Sequence, residues 1–328
     1  MAAHRTATYK PTLFWYGVFC LCWITLLLYA GGMTTSLRAG MAFLDWPLSD
    51  GSLNPAGWRS ESDKLAEHSH RLLGMKVGLL SIVLMVWLQI KESRRWLRRL
   101  SIILVLAVVS QGLLGGARVV FDQLNTRTPS NLVAQTFAVL HACGAMVVLC
   151  LLVSIVIALS KGWIANKRQG AKVWPQSIRR FSALAVIAVF LQIRIGAVMR
   201  HAEAGMAIPH FPLSTETSLL PPVWSFDVSI HFAHRVGAVL LTALFLYIVY
   251  KLIFGMGGQK RLVVGISLTS LFIAQVSLGA LTIWTVKNSH VATLHHLVGA
   301  FLLAYTFAIS FVANRKNKPD QFPVATAL

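Results

Sequence analysis

Cysteine and charge are what this chain has least of. It holds only 4 cysteines in 328 residues, and only 12% of its residues are charged. Cys20 and Cys22 fall in the first apolar run, and Cys143 and Cys150 in the fourth. With none in a long connecting stretch, the sequence excludes a disulfide framework and a cysteine-based metal site, and the four read as buried bystander thiols. Sparse charge beside 56% hydrophobic residues excludes a soluble domain with a large core. No basic leader, short apolar core and small-residue cleavage site stands apart from the first apolar run, so no removable signal peptide is expected.

What remains is an all-α polytopic membrane protein. A span needs about 20 mostly apolar residues. That rule predicts eight: about 13–33, 69–90, 101–120, 132–158, 181–200, 229–254, 262–285 and 289–312. The formal net charge of +19 could suggest a nucleic-acid partner, but the basic residues cluster in alternate connections. Lys91, Arg94, Arg95, Arg98 and Arg99 form one group. Lys161, Lys167, Arg168, Lys172, Arg179 and Arg180 form a second, and Lys260 with Arg261 a third. Arg5, Lys10, Arg315, Lys316 and Lys318 lie in the tails. Positive residues stay on the cytoplasmic side, which puts both termini inside and makes the charge an orientation signal. No nucleic acid is needed; the partner is membrane lipid.

The outward connections, 34–68 and 201–228, are rich in Gly, Pro, Ser and Trp, and they repeat. Ala39-Gly40-Met41-Ala42 recurs as Ala204-Gly205-Met206-Ala207, and Trp46-Pro47-Leu48-Ser49 corresponds to Phe211-Pro212-Leu213-Ser214. Gln111 and Gly115 recur as Gln275 and Gly279, and His70-Arg71 as His234-Arg235. All of these recur at a separation of 164 or 165 positions. The expectation is two tandem, parallel four-helix bundles, 1–165 and 166–328, with the seam in the basic connection near 160–180.

Glu67, His70 and Arg71 sit where a membrane helix begins. An ionisable cluster entering a bilayer is costly and reads as functional. Of 11 histidines, only His4 belongs with the cytoplasmic groups. His70, His141, His234 and the His295-His296 pair each lie in the outer part of a span that runs inward. At about 1.5 Å per residue they share a band roughly 15 Å deep. Each half supplies one histidine from its second helix and one from its fourth. Two neutral imidazoles facing each other across a bundle can ligate a haem iron. Zinc would want three or four closer ligands, and the structural alternative is that each histidine bonds a neighbouring helix.

Glu67 is one turn before His70, whereas its repeat counterpart is His231. A carboxyl in one half only points to chemistry there, with a resident haem in the other; an interfacial pairing with Arg71 or Lys76 is the bland alternative. Arg71 and Arg235 could form a fork with a haem propionate or extend to the headgroups. Gln111, Gly115-Gly116, Gln275 and Gly279-Ala280 read as packing faces. Lys287, His290 and Asp45 have no assigned role.

These features together resemble the haem A synthase family over essentially the whole chain. They are Glu67-x-x-His70-Arg71, Asp45-Trp46-Pro47 after Ala39-Gly40-Met41, His141, His234-Arg235 and Ala292-Thr293-Leu294-His295. The resemblance implies oxidation of the C8 methyl of haem O to a formyl group through successive hydroxylations. It implies His70 and His141 around the substrate haem, His234 and His295 on a haem b cofactor, and a need for Glu67 in the oxidation. Haem O synthase and cytochrome oxidase assembly partners are the implied company, and homo-oligomerisation is left open. Some members carry a cysteine pair in the first outer loop, and 34–67 has none. Where many have Thr-Arg after the first span, this chain has Thr34-Thr35, leaving Arg38 as the nearest arginine. In the last span the entry pattern selects His295, while the His-x-x-Gly-Ala pattern of His141 selects His296. One residue is about 100° of helix, so only one can face the iron. A non-catalytic di-haem electron-transfer subunit, and a haem carrier, are the competing readings.

Overall fold

The computed structural model describes residues 8–124, 131–168, 174–255 and 258–315. Among the described residues, eight long apolar helices make this a multi-pass membrane protein. They are α1 (Pro11–Ser36), α2 (Ser62–Lys91), α3 (Arg95–Leu124), α4 (Leu132–Leu159), α6 (Gln176–His201), α7 (Phe226–Ile253), α8 (Gln259–Trp284) and α9 (Ser289–Ala313). Between α4 and α6 lies a short helix, α5 (Lys161–Arg168), in a stretch expected to be loop. Ser160 starts it by accepting the Trp163 amide at 3.2 Å. Of the expected basic and histidine positions, His4, Arg5, Lys172, Lys316 and Lys318 lie outside the described residues.

Helix starts follow local chemistry. Pro11 occupies the first turn of α1, where a missing N–H costs nothing. Asn131, Ser225 and Asn288 cap α4, α7 and α9 with side-chain oxygens. The largest departure from expectation is α2, which begins at Ser62, not 69. Asp63 in its first turn suits the positive end of the helix dipole, so the polar residues 62–71 are helical although hydropathy does not mark them. Glu67 and His70 therefore stand inside a formed helix.

The inner helices are α1, α4, α6 and α9: α1 packs on α4 and α9, and α6 does likewise. Helices α2, α3, α7 and α8 flank them. Apolar side chains exposed on the flanks, among them Leu79, Leu106, Val239 and Leu246, suit contact with lipid tails. At the end carrying the basic connections, fully buried Leu84, Leu88, Leu97, Leu104, Ile155, Ile178, Ile248 and Leu252 close the bundle. There Arg94 clamps the α2–α3 turn, forking onto Glu92 at 2.8 and 2.9 Å and reaching the Ala158 carbonyl of α4 at 2.8 Å. The opposite end, under the long connections 37–61 and 202–225, is polar inside.

Candidate functional site

In that polar end the histidines meet in pairs. The ring centres of His70 (α2) and His141 (α4) are 6.2 Å apart, and those of His234 (α7) and His295 (α9) are 6.3 Å apart. Two imidazole nitrogens about 2 Å from one metal, on opposite sides of it, put their ring centres a little over 6 Å apart. Both pairs have that spacing. Among the described residues no three His, Cys, Asp or Glu side chains gather around a common point.

Glycines make room for the rings. A Cβ on Gly31 would come within 2.8 Å of the His70 ring, one on Gly196 within 3.1 Å of His234, and one on Gly279 within 3.1 Å of His295. Gly115 faces His141 in the same way, at 3.4 Å. The sequence marked Gly115 and Gly279 as packing faces; what they pack is the imidazoles. Nor did the sequence signal the main-chain carbonyls of Gln111 and Gln275, which lie 3.0 Å from His141 Nδ1 and 3.1 Å from His295 Nδ1. A carbonyl can only accept, so each Nδ1 carries the proton and each Nε2 keeps a lone pair suited to a metal. His70 Nδ1 is buried without a partner. His234 is held differently: Gln192 Nε2 lies 3.1 Å from its Nδ1 and donates to its carbonyl at 2.7 Å. Leu27, which approaches Gly74 as Gln192 approaches Gly237, has no polar side chain to offer His70.

His295, not its neighbour, stands opposite His234. His296 turns toward α1, where it and Thr293 both pack on Gly32.

The charged residues beside the histidines bind the long connections. Arg71 donates to the carbonyls of Asp45 (2.7 Å), Phe43 (3.2 Å) and Leu48, and pairs with Glu67 at 2.5 Å. Arg235 donates to Ile208 (2.9 Å), His210 (2.5 Å) and Leu213 (3.0 Å). Glu67 Oε2 accepts the Phe43 amide at 3.0 Å, and His231 Nδ1 accepts the Ile208 amide at 3.2 Å. His68 holds the same loop, through the Ser49 hydroxyl at 2.9 Å and the Leu53 carbonyl at 3.1 Å. Asp45 accepts the Asp50 and Gly51 amides at 2.9 and 2.8 Å. Slight burial works against its ionised form, but these amides and Arg71 hold its carboxyl below the usual carboxylate range. His290 meets the Tyr29 hydroxyl at 3.3 Å, and Lys287 ends α8 in a left-handed conformation. Arg38, the nearest arginine to Thr34-Thr35, pairs with Glu203 across the bundle.

Comparison with known proteins agrees with this architecture. A heme A synthase of Listeria welshimeri is 28% identical over 311 residues, 92% of this chain and 95% of its own length. One from an Exiguobacterium species is 28% identical over 308 residues, 92% and 91% of the two chains. One from Symbiobacterium thermophilum is 30% identical over 224 residues, 67% and 68%. The profile of the COX15-CtaA family, described as cytochrome oxidase assembly protein, matches residues 14–307. With nearly its whole length matched, the chain belongs to that family.

Proposed function

We propose that this protein is a haem A synthase: an enzyme that takes haem O as substrate and oxidises its C8 methyl to a formyl group for cytochrome oxidase. The observation that carries the reading is the pair of facing histidines in each half, at the spacing of two axial ligands. Their setting among relatives that are heme A synthases supports it.

The two pairs divide the work. His70 and His141 hold the substrate haem. His70 has a buried, unpartnered Nδ1 and no side chain fixing its ring, which suits a ligand that must release its product. His234 and His295 hold a resident haem b, and Gln192 and the Gln275 carbonyl orient their rings. When bound, haem b supplies electron transfer. Glu67 lies a turn from His70 and places a carboxylate at the substrate half only, where it stabilises positive charge or takes a proton. Arg71 and Arg235 clamp the connections that roof each pocket.

The matched loop contacts support two parallel repeats, 1–165 and 166–328: Arg71 reaches Leu48 as Arg235 reaches Leu213. The basic connections place both termini in the cytoplasm of a cell-membrane protein, with the haem sites toward the outer leaflet. Haem O synthase would supply the substrate, and oxidase assembly would take the product.

A second reading, a di-haem electron-transfer subunit, draws on the equivalent loop roles of Glu67 and His231. Extraction of pigments from purified wild type and Glu67→Gln separates the two. Haem b with haem O and haem A in the wild type, and no haem A in the variant, is expected. Two haem b per chain in both would overturn the synthase reading.

A further inference from the structure

We propose that Arg118 on α3 receives a carboxylate of the porphyrin bound between His70 and His141. This rests on the haem-processing reading above. A haem carries two propionates, and the arginines that follow His70 and His234 in sequence have their donors on loop carbonyls. The carboxylates therefore need another cation.

Arg118 stands where one is needed. It lies three residues after Gly115, on which His141 packs, and so on nearly the same face of α3 and a turn nearer the long connections. Its guanidinium lies against Gly40, where a Cβ would come within 2.7 Å of Nη1. Around it are His70, His141 and His201, which all feel its charge. Its two nearest carboxylates are engaged elsewhere. Asp122 Oδ1 accepts from Asn131 at 3.2 Å, and Glu67 pairs with Arg71. Among the described residues Arg118 makes no hydrogen bond and no ion pair. A cation within a membrane helix that faces imidazoles and forms no direct ion pair is costly, and a bound carboxylate lowers that cost through a charge-assisted fork. In the other half the buried arginine beside His295 is Arg200, and its donors are taken by the Gly32 carbonyl and the Ser36 hydroxyl. The position 164 residues on is Thr282, whose hydroxyl bonds back to Leu278 at 2.8 Å. Among the described residues, a buried arginine with its donors unused thus marks the pocket that receives substrate.

The test titrates purified full-length protein with ferric haem b, once as the free diacid and once as its dimethyl ester, following the Soret band. Wild type, R118Q and R118K are compared, and His70→Ala identifies the signal of this pocket. Wild type should prefer the diacid by about tenfold or more. R118Q should bring that preference within about twofold, and R118K should fall between. Equal binding of diacid and ester by wild type would overturn the proposal without recourse to any variant. So would an unchanged preference in R118Q. Loss of co-purifying anionic phospholipid from R118Q, with haem preference intact, would assign Arg118 to a lipid phosphate and overturn it too. If wild type gives no His70-dependent signal with either form, the haem-processing reading itself fails.

Discussion

Glu67 and His231 hold the same point in the two halves: each accepts the amide of a residue 23 or 24 positions earlier, Phe43 or Ile208. An acid and an imidazole do one mechanical job, fixing a connection over a pair of histidines. The halves therefore differ in charge at this point, not in architecture. Glu67 also neutralises Arg71, and a neutral His231 cannot do the same for Arg235. Glu67→His should keep the first connection in place yet abolish haem A formation. A variant that still makes haem A would show that only the loop contact matters.

His295 and His296 are adjacent but face different neighbours, so their alanine variants should differ sharply. His295→Ala should lose one haem per chain by pyridine haemochrome assay, because among the described residues His295 is the imidazole opposite His234. His296→Ala should retain full haem content. Equal loss in both would contradict the assigned facing.

The Gln192 side chain holds His234, whereas Leu27 has no polar side chain for His70, whose Nδ1 is unpartnered. Gln192→Leu should make the second pocket resemble the first. Its haem should exchange into apo-myoglobin several-fold faster, because the amide that packs beside the His234 ring and bonds its carbonyl is removed. An unchanged exchange rate would show that Gln192 does not retain haem.

Arg71 ties Glu67 and three loop carbonyls together in a buried setting. Arg71→Ala leaves a buried carboxylate without its counter-charge, a change that typically costs about 3–5 kcal/mol. A fall in thermal midpoint in detergent of several degrees, with faster proteolysis within 43–53, is expected. A shift near zero would mean that the connection is held by His68 and Asp45 alone.

Glu92 lies between α2 and α3, and it should make stability depend on pH. Burial alone would raise its carboxyl, but the fork and amide from Arg94 outweigh this and hold it below the usual carboxylate range. A carboxyl whose folded pKa is lower than its unfolded one stabilises the fold fully above the unfolded value, about 4.3. That contribution is lost as pH falls from there through the folded pKa. Glu92→Gln should therefore lower the midpoint at pH 7 and bring it closer to wild type as pH falls below about 4. A constant gap over that range would remove the charge from the explanation.

The sequence by itself determined the eight spans, because hydropathy over about 20 residues is a local property that a bilayer enforces. It also picked out the histidines that meet, since matching depths on inward-running helices follow from counting residues along each span. It did not give the start of α2, where helix propensity and the dipole override a polar composition. Nor did it assign α5 as a helix. Tertiary structure alone decided which way His295 and His296 face, because that depends on whether α8 or α1 lies beside each ring. It also decided that Arg71 and Arg235 bind connections that begin 28 and 27 residues upstream of them. Such partners are fixed by how the chain folds back over the helix ends, and no local pattern encodes that closure.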